Sequence, residues 1–105
     1  MDHLFEELAG LDRLIHEPAR LSILTVLASC KSADFLFLLK ESKLTKGNLS
    51  VHLTRLEEAG YLVVKKSFRE KIPHTEFRLT PKGRAAFEQY RKSLGPIFEK
   101  KKGRG

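Results

Sequence analysis

Between Thr45 and Gly60, leucines recur at 49, 53 and 56, the i, i+4, i+7 spacing that gathers one apolar stripe along an amphipathic helix. Thr45 can accept an orphan amide hydrogen as an N-cap, and Gly60 suits a left-handed C-terminal stop, so the pattern predicts a helix over 46–59. Opposite the stripe the helical wheel puts Gly47, Asn48, Val51, Thr54 and Arg55, with Ser50 and His52 on the flanks. An ordinary solvated face would carry Lys and Glu there; these are small or hydrogen-bonding groups. Gly47 in a first turn weakens a helix by roughly 1 kcal/mol relative to Ala, which is easier to account for if a phosphate must approach the backbone. The plain alternative is a surface helix whose polar face has no task.

The flanking patterns build a frame for that helix. Over 2–16, Leu4, Phe5, Leu8, Leu11, Leu14 and Ile15 follow helical spacing, and Gly10 is a point at which the run can divide. Pro18 can open a second helix, apolar nearly all round from Ala19 to Ser29 and therefore central and buried. Phe35, Leu38 and Leu39 make one stripe of a short helix over 34–42 capped by Ser32 or Asp34, which leaves Leu36 and Phe37 outside the stripe. Lys43-Leu44-Thr45 is then a tight turn between two helices, the helix-turn-helix arrangement in which the second helix enters the major groove. After Gly60 the period changes. Residues 61–64 and 75–79 read as strands, and the basic stretch 65–74 as the charged loop of a β-hairpin. Thr80 caps a last helix with Pro81 at its first position, Gly95-Pro96 marks a break, and the lysine-rich end reads as a flexible tail.

Composition bounds the picture without redirecting it. A chain of 105 residues, 41% hydrophobic and 31% charged, has room for one domain and one core. No run approaches the roughly 18 apolar residues of a membrane span, and the acidic N-terminus does not look like a secretory signal, so the cytoplasm is expected. The single cysteine, Cys30, excludes an internal disulfide and a multi-cysteine zinc site, and its place at the end of an apolar helix suggests a buried thiol. Charge placement says more than the net +7: residues 1–39 carry three basic and six acidic groups, whereas residues 61–105 carry thirteen and four. That gradient suits a polyanion, although a basic tail can also serve only solubility.

Four segments together carry a family resemblance: His16-Glu17-Pro18-Ala19-Arg20-Leu21-Ser22-Ile23-Leu24, Asn48-Leu49-Ser50-Val51-His52-Leu53, Leu56-Glu57-Glu58-Ala59-Gly60-Tyr61 and Phe77-Arg78-Leu79-Thr80-Pro81-Lys82-Gly83. In this order the chain resembles the MarR/ArsR-like winged-helix transcriptional regulators over nearly its whole length. The resemblance implies an α+β, mostly helical winged helix-turn-helix with a two-stranded hairpin as wing. It also implies a prokaryotic homodimer on operator double-stranded DNA, with repression likelier than activation. Residues 1–98 would form the one domain, helices 2–16 and 81–98 would pair the two copies, and 99–105 would be a basic tail. The paired cysteines of metal-sensing relatives are missing, and Leu36 and Phe37 stand where the family's second helix is usually polar.

The candidate sites follow. Lys46, Gly47, Asn48, Ser50, Val51, Thr54 and Arg55 would meet DNA from the recognition helix, and Lys65, Lys66, Arg69 and Lys71 from the wing. Leu4, Phe5, Leu8, Leu11, Phe87, Tyr90, Leu94 and Phe98 would form the dimer interface. His52 reads as a boundary residue that packs its ring and bonds locally or to a phosphate. No metal site is expected of His3, His16, His52 and His74, which sit in four different elements without an i, i+4 pair. No cofactor or catalytic activity is expected either, because nucleophile motif, phosphate-cradling glycine loop and paired acids are all missing; Lys82-Gly83-Arg84 reads as basic helix surface. Nothing names a small-molecule effector. Two rivals remain: a protein-interaction module using Leu36 and Phe37, and a nucleic-acid binder without sequence preference.

Overall fold

The structure is a computed structural model that describes residues 3–102. Its elements run α1 (Leu4–Ala9), α2 (Pro18–Ala28), β1 (Ala33–Asp34), α3 (Phe35–Ser42), α4 (Lys46–Glu58), β2 (Leu62–Arg69), β3 (Ile72–Leu79) and α5 (Pro81–Lys102). Helices α2, α3 and α4 close around Ile23, Leu24, Leu27, Leu38, Leu49 and Leu56, all fully buried. Leu62, Phe77 and Leu79 from the sheet and Phe87, Tyr90 and Ile97 from α5 complete one core.

Local chemistry sets the helix ends. Glu17 caps α2 by accepting from the Arg20 amide at 2.7 Å, and Pro18 sits in the first turn. Asp34 caps α3 through the Phe37 amide at 2.8 Å, and Lys43 ends it in the left-handed region at φ 60°. Thr45 caps α4 through the Asn48 amide at 3.1 Å. At the other end the Gly60 amide bonds the Glu57 carbonyl, and the Tyr61 amide bonds that of Leu56. With Gly60 at φ 81° this is a Schellman motif.

Four expectations need correction. The N-terminal run is not helical over 2–16: residue 2 lies outside the described residues, and α1 ends at Ala9. Beyond Gly10 the Asp12 carboxylate accepts from the Leu14 and Ile15 amides at 2.9 and 3.3 Å, turning the chain so that Leu11 and Ile15 enter the core. The sheet has three strands in the order β1-β3-β2, since Ala33 and Asp34 pair with Phe77 and Glu76. The hairpin loop is not ten residues long. Strands β2 and β3 stay paired out to Arg69 opposite Ile72, and Glu70 and Lys71 turn the chain with φ of 49° and 71°, the two positive values a type I′ turn requires. Pro73 is tolerated because β1 covers β3 only at Glu76 and Phe77, leaving that edge free nearer the tip. Finally, α5 does not break at Gly95-Pro96 but runs on to Lys102, so residues 99–102 are helical, and only 103–105 of the expected tail lie outside the described residues. An interior proline costs a helix about 3 kcal/mol. Burial of Ile97 just beyond it, where α5 meets α1, offsets part of that cost.

Candidate nucleic-acid interface

Helix α4 turns Leu49, Leu53 and Leu56 inward and is held by α2, α3 and β2. That packing fixes its rotation, so its other face is fixed as well. Lys46, Gly47, Asn48, Ser50, Val51, Thr54 and Arg55 are all exposed, as the wheel predicts. Among the described residues none of their side chains has a hydrogen-bond or ion-pair partner. Val51, apolar, is 53% exposed. A Cβ at Gly47 would meet nothing within 4 Å, so this chain's own packing does not demand the glycine.

On the flank of that face, His52 is half-buried, and its Nδ1 lies 3.2 Å from Arg20 Nη1. Arg20 is pinned in turn: Nε donates to the Leu14 carbonyl at 2.6 Å, and Nη1 lies 3.9 Å from Glu17 Oε1. Burial alone would raise the Glu17 pKa, but bonds from the Arg20 and Ala19 amides and the charge of Arg20 outweigh it and hold the carboxyl below its ordinary range.

The wing projects from the sheet as a two-stranded ribbon. Lys65, Lys66, Arg69 and Lys71 are exposed, yet only Lys71 is in the turn; Lys65 and Lys66 lie in β2, well short of the tip where a longer loop would have put them. Glu76 gathers two of the wing's side chains, Arg69 at 3.4 Å and His74 at 3.3 Å. Such a part-exposed pair is worth well under about 1 kcal/mol and leaves Arg69 available to a polyanion.

A joint behind α4 went unrecognised in the sequence. Thr80 Oγ1 donates to the Gly60 carbonyl at 2.6 Å and accepts from the Gly83 amide at 2.9 Å, while the Thr80 amide bonds the Tyr61 carbonyl at 3.1 Å. Lys82 Nζ bonds the Ala59 carbonyl at 2.9 Å and lies 5.7 Å from the Tyr61 ring centroid. Arg84 reaches the Ala28 carbonyl at 3.4 Å. Lys82 and Arg84 therefore serve the negative C-terminal ends of α4 and α2 and are not merely basic surface. A Cβ at Gly83 would stand 2.0 Å from the Tyr61 oxygen, so only glycine fits. The one sequence signal was the run Thr80-Pro81-Lys82-Gly83 itself. Tyr61 donates to Asp12 Oδ2 at 2.5 Å; burial, then that bond and the Asp12 charge, push its phenol up to about 12.

The expected dimer surface divides. Leu11, Phe87 and Tyr90 belong to the core of the single chain and cannot face a partner; Tyr90 is further tied to His16 Nδ1 at 2.7 Å. Leu4, Leu8 and Leu94 are half-buried, while Phe5 is 81% and Phe98 60% exposed. Cys30 is half-buried, its thiol directed to the Val26 carbonyl. The four histidines lie apart, against Glu6, Tyr90, Arg20 and Glu76. No helix among the described residues is long and apolar enough to cross a membrane.

The family model of the winged helix DNA-binding domain matches residues 19–98, from α2 to the last turns of α5. The chain belongs to the winged-helix DNA-binding family. An uncharacterised protein of Methanocaldococcus jannaschii is 36% identical over 78 residues, 74% of this chain and 85% of that one. A transcriptional regulator homologue from Pyrococcus horikoshii OT3 superposes with a TM-score of 0.81 at 27% identity, over 94% of this chain and 96% of that one. Wild-type MarR from E. coli, in its apo form, gives 0.70 at 21% identity over 92% and 78%. The transcriptional repressor CouR, solved on a 23-mer DNA duplex, gives 0.74 at 22% over 95% and 68%. At those last two identities the likeness is one of fold. This chain thus has the winged helix-turn-helix fold that those regulators share, with α4 as the second helix of the helix-turn-helix and β2–β3 as the wing.

Proposed function

We propose that this winged-helix protein is a homodimeric, sequence-specific regulator of transcription that works in the cytoplasm as a repressor and has no catalytic activity of its own. The observation that carries the reading is the face of α4, whose polar side chains have no partner among the described residues although the helix is rigidly held. Asn48 suits adenine N6 and N7, Val51 a thymine methyl, and Arg55 guanine or, two turns from the helix start, a phosphate. The wing lysines and Arg69 suit phosphates and carry little base information. Repression is carried over from CouR, a repressor of the same fold. Exposure of Phe5 and Phe98 on the terminal helices supports a second copy, since apolar patches of that kind mark interfaces.

Salt titrations on a selected and a random duplex test the reading. Asn48→Ala or Val51→Ala should cost roughly 1–3 kcal/mol on the selected site and relax base preference at one or two positions. Arg69→Gln or Lys71→Gln should weaken both duplexes alike and lower the salt slope by about one. Equal affinity of the native chain for every duplex would sink the sequence-specific reading. Sedimentation at micromolar concentration should give twice 12.0 kDa, and Phe5→Glu with Phe98→Glu should return it to a single chain.

A second reading rests on Leu36 and Phe37, 70% and 46% exposed on α3. It makes the domain a protein-interaction module. Leu36→Gln with Phe37→Glu separates the two, because a module would lose its partner while DNA affinity stayed unchanged.

A further inference from the structure

We infer that His52 donates a hydrogen bond to a backbone phosphate of duplex DNA, and that Arg20 holds it in the tautomer able to do so; this rests on the DNA-binding reading above. A guanidinium has five N–H donors and no acceptor. With Arg20 Nη1 3.2 Å from His52 Nδ1, the arginine must donate and Nδ1 must offer its lone pair. The ring proton is then on Nε2. Among the described residues Nε2 has no hydrogen-bond partner, yet no side-chain nitrogen or oxygen is buried there without one, so this N–H opens to solvent.

Its direction follows from the helix. His52 lies four residues after Asn48 and three before Arg55, and on a helix those spacings make neighbours. The donor therefore borders the face that Asn48, Val51 and Arg55 present, on the flank where a groove-bound helix passes the sugar-phosphate wall and not at its centre. Leu49, Leu53 and Leu56 prevent the helix from rolling. Arg20 cannot drift either, with its side chain 11% exposed, Nε bonded to the Leu14 carbonyl and Glu17 beside it. A preorganised donor lacking an acceptor in its own chain matches a phosphate oxygen, the most abundant acceptor along the rim of a groove.

A neutral imidazole differs from the lysines in one measurable respect. It supplies a bond to an anion without charge, so it adds affinity without releasing a counterion. The test uses the full chain on a mixed-sequence duplex over a range of salt, with thermal melts of every variant. His52→Asn keeps an oxygen for Arg20 and loses the outer donor; affinity should fall roughly tenfold, the scale of one hydrogen bond to a charged group, at an unchanged salt slope. His52→Gln, which sets an amide N–H near the lost donor, should recover part of the loss. Arg20→Lys should weaken binding too, and adding it to His52→Asn should cost nothing more, because the arginine acts through the ring. If the Asn variant fails to fold, Arg20→Lys alone must still show weakening at unchanged slope. Native affinity in His52→Asn, a slope reduced by about one, or an altered base preference would each overturn the inference. Absence of binding by the native chain to any duplex at low salt would instead overturn the DNA-binding reading on which it rests.

Discussion

The first turns of α4 and α5 are built alike and used differently. Each is capped by a threonine, Thr45 on the Asn48 amide and Thr80 on the Gly83 amide, and each has a glycine within three residues of that cap. At Gly83 a side chain would run into the Tyr61 backbone; at Gly47 it would meet open space. Thr80 spends its hydroxyl hydrogen on the Gly60 carbonyl as well, whereas Thr45 has only the cap. The same local grammar therefore has two causes. The α5 turn is shaped by this chain's own packing, whereas nothing in that packing requires the glycine of the α4 turn.

Swapping both glycines for alanine puts the largest strain on this contrast. Gly83→Ala should destabilise the fold by about 3 kcal/mol or more, because backbone and not a flexible side chain stands in the way; urea unfolding measures it. Gly47→Ala should leave stability level or raise it by up to about 1 kcal/mol, while DNA affinity falls. A Gly47→Ala variant that binds duplex as tightly as the native chain would remove the reason for treating the two turns differently. A smaller effect sharpens the same point: Thr45→Ala should cost about 1 kcal/mol, the usual worth of an N-cap, and Thr80→Ala about twice that, since a second bond is lost with it.

Proton titration probes only the α5 side. Tyr61 is raised to about 12 by burial and by Asp12, and Tyr90 is raised by burial; these are the two tyrosines of the chain. Both phenols have folded pKa values above the unfolded one, so folding loses nothing below pH 10 and stability declines as pH rises from about 10 toward 12. Tyrosinate absorbance should thus show no step at the ordinary pKa in the folded protein, and Asp12→Asn should shift the Tyr61 step down. An ordinary step near pH 10 would mean that the Tyr61–Asp12 bond does not form in solution.

What the sequence made legible was whatever local chemistry decides. Helix α4 could be drawn to within a residue because its cap, its leucine stripe and its glycine stop are all within sixteen positions. Leu36 and Phe37 fell outside the α3 stripe on the wheel and are exposed in the fold. Tertiary contacts decided the rest. Strand β1 is two residues long and exists because β3 lies beside it; the outer ribbon of the wing has no buried face and so no alternation to read; a Glu-Lys turn at positive φ lacks the Asn-Gly signal. Asp12 looked like an ordinary helix residue, and only the amides of Leu14 and Ile15 and the distant Tyr61 give it its place. The exposed face of α4 could be read from the wheel, while the Arg20–His52 bond spans 32 positions and has no sequence signature.

The joint at Gly83 also sets a length scale. The end of α4, Tyr61 and the start of α5 are joined by three hydrogen bonds, from Thr80 Oγ1 to Gly60, from the Thr80 amide to Tyr61 and from Lys82 to Ala59, and by a contact with no room for a methyl group, which resists any swivel of α4 on α5. In a dimer paired through α5, the two reading heads then behave as the jaws of a fixed caliper whose gap is decided where the long helices cross, not where the bases are read. Moving the two halves of its operator apart by about half a helical turn would carry one half to the far side of the duplex. No substitution on α4 could follow it there; only a change in how the α5 helices meet would reset the jaws.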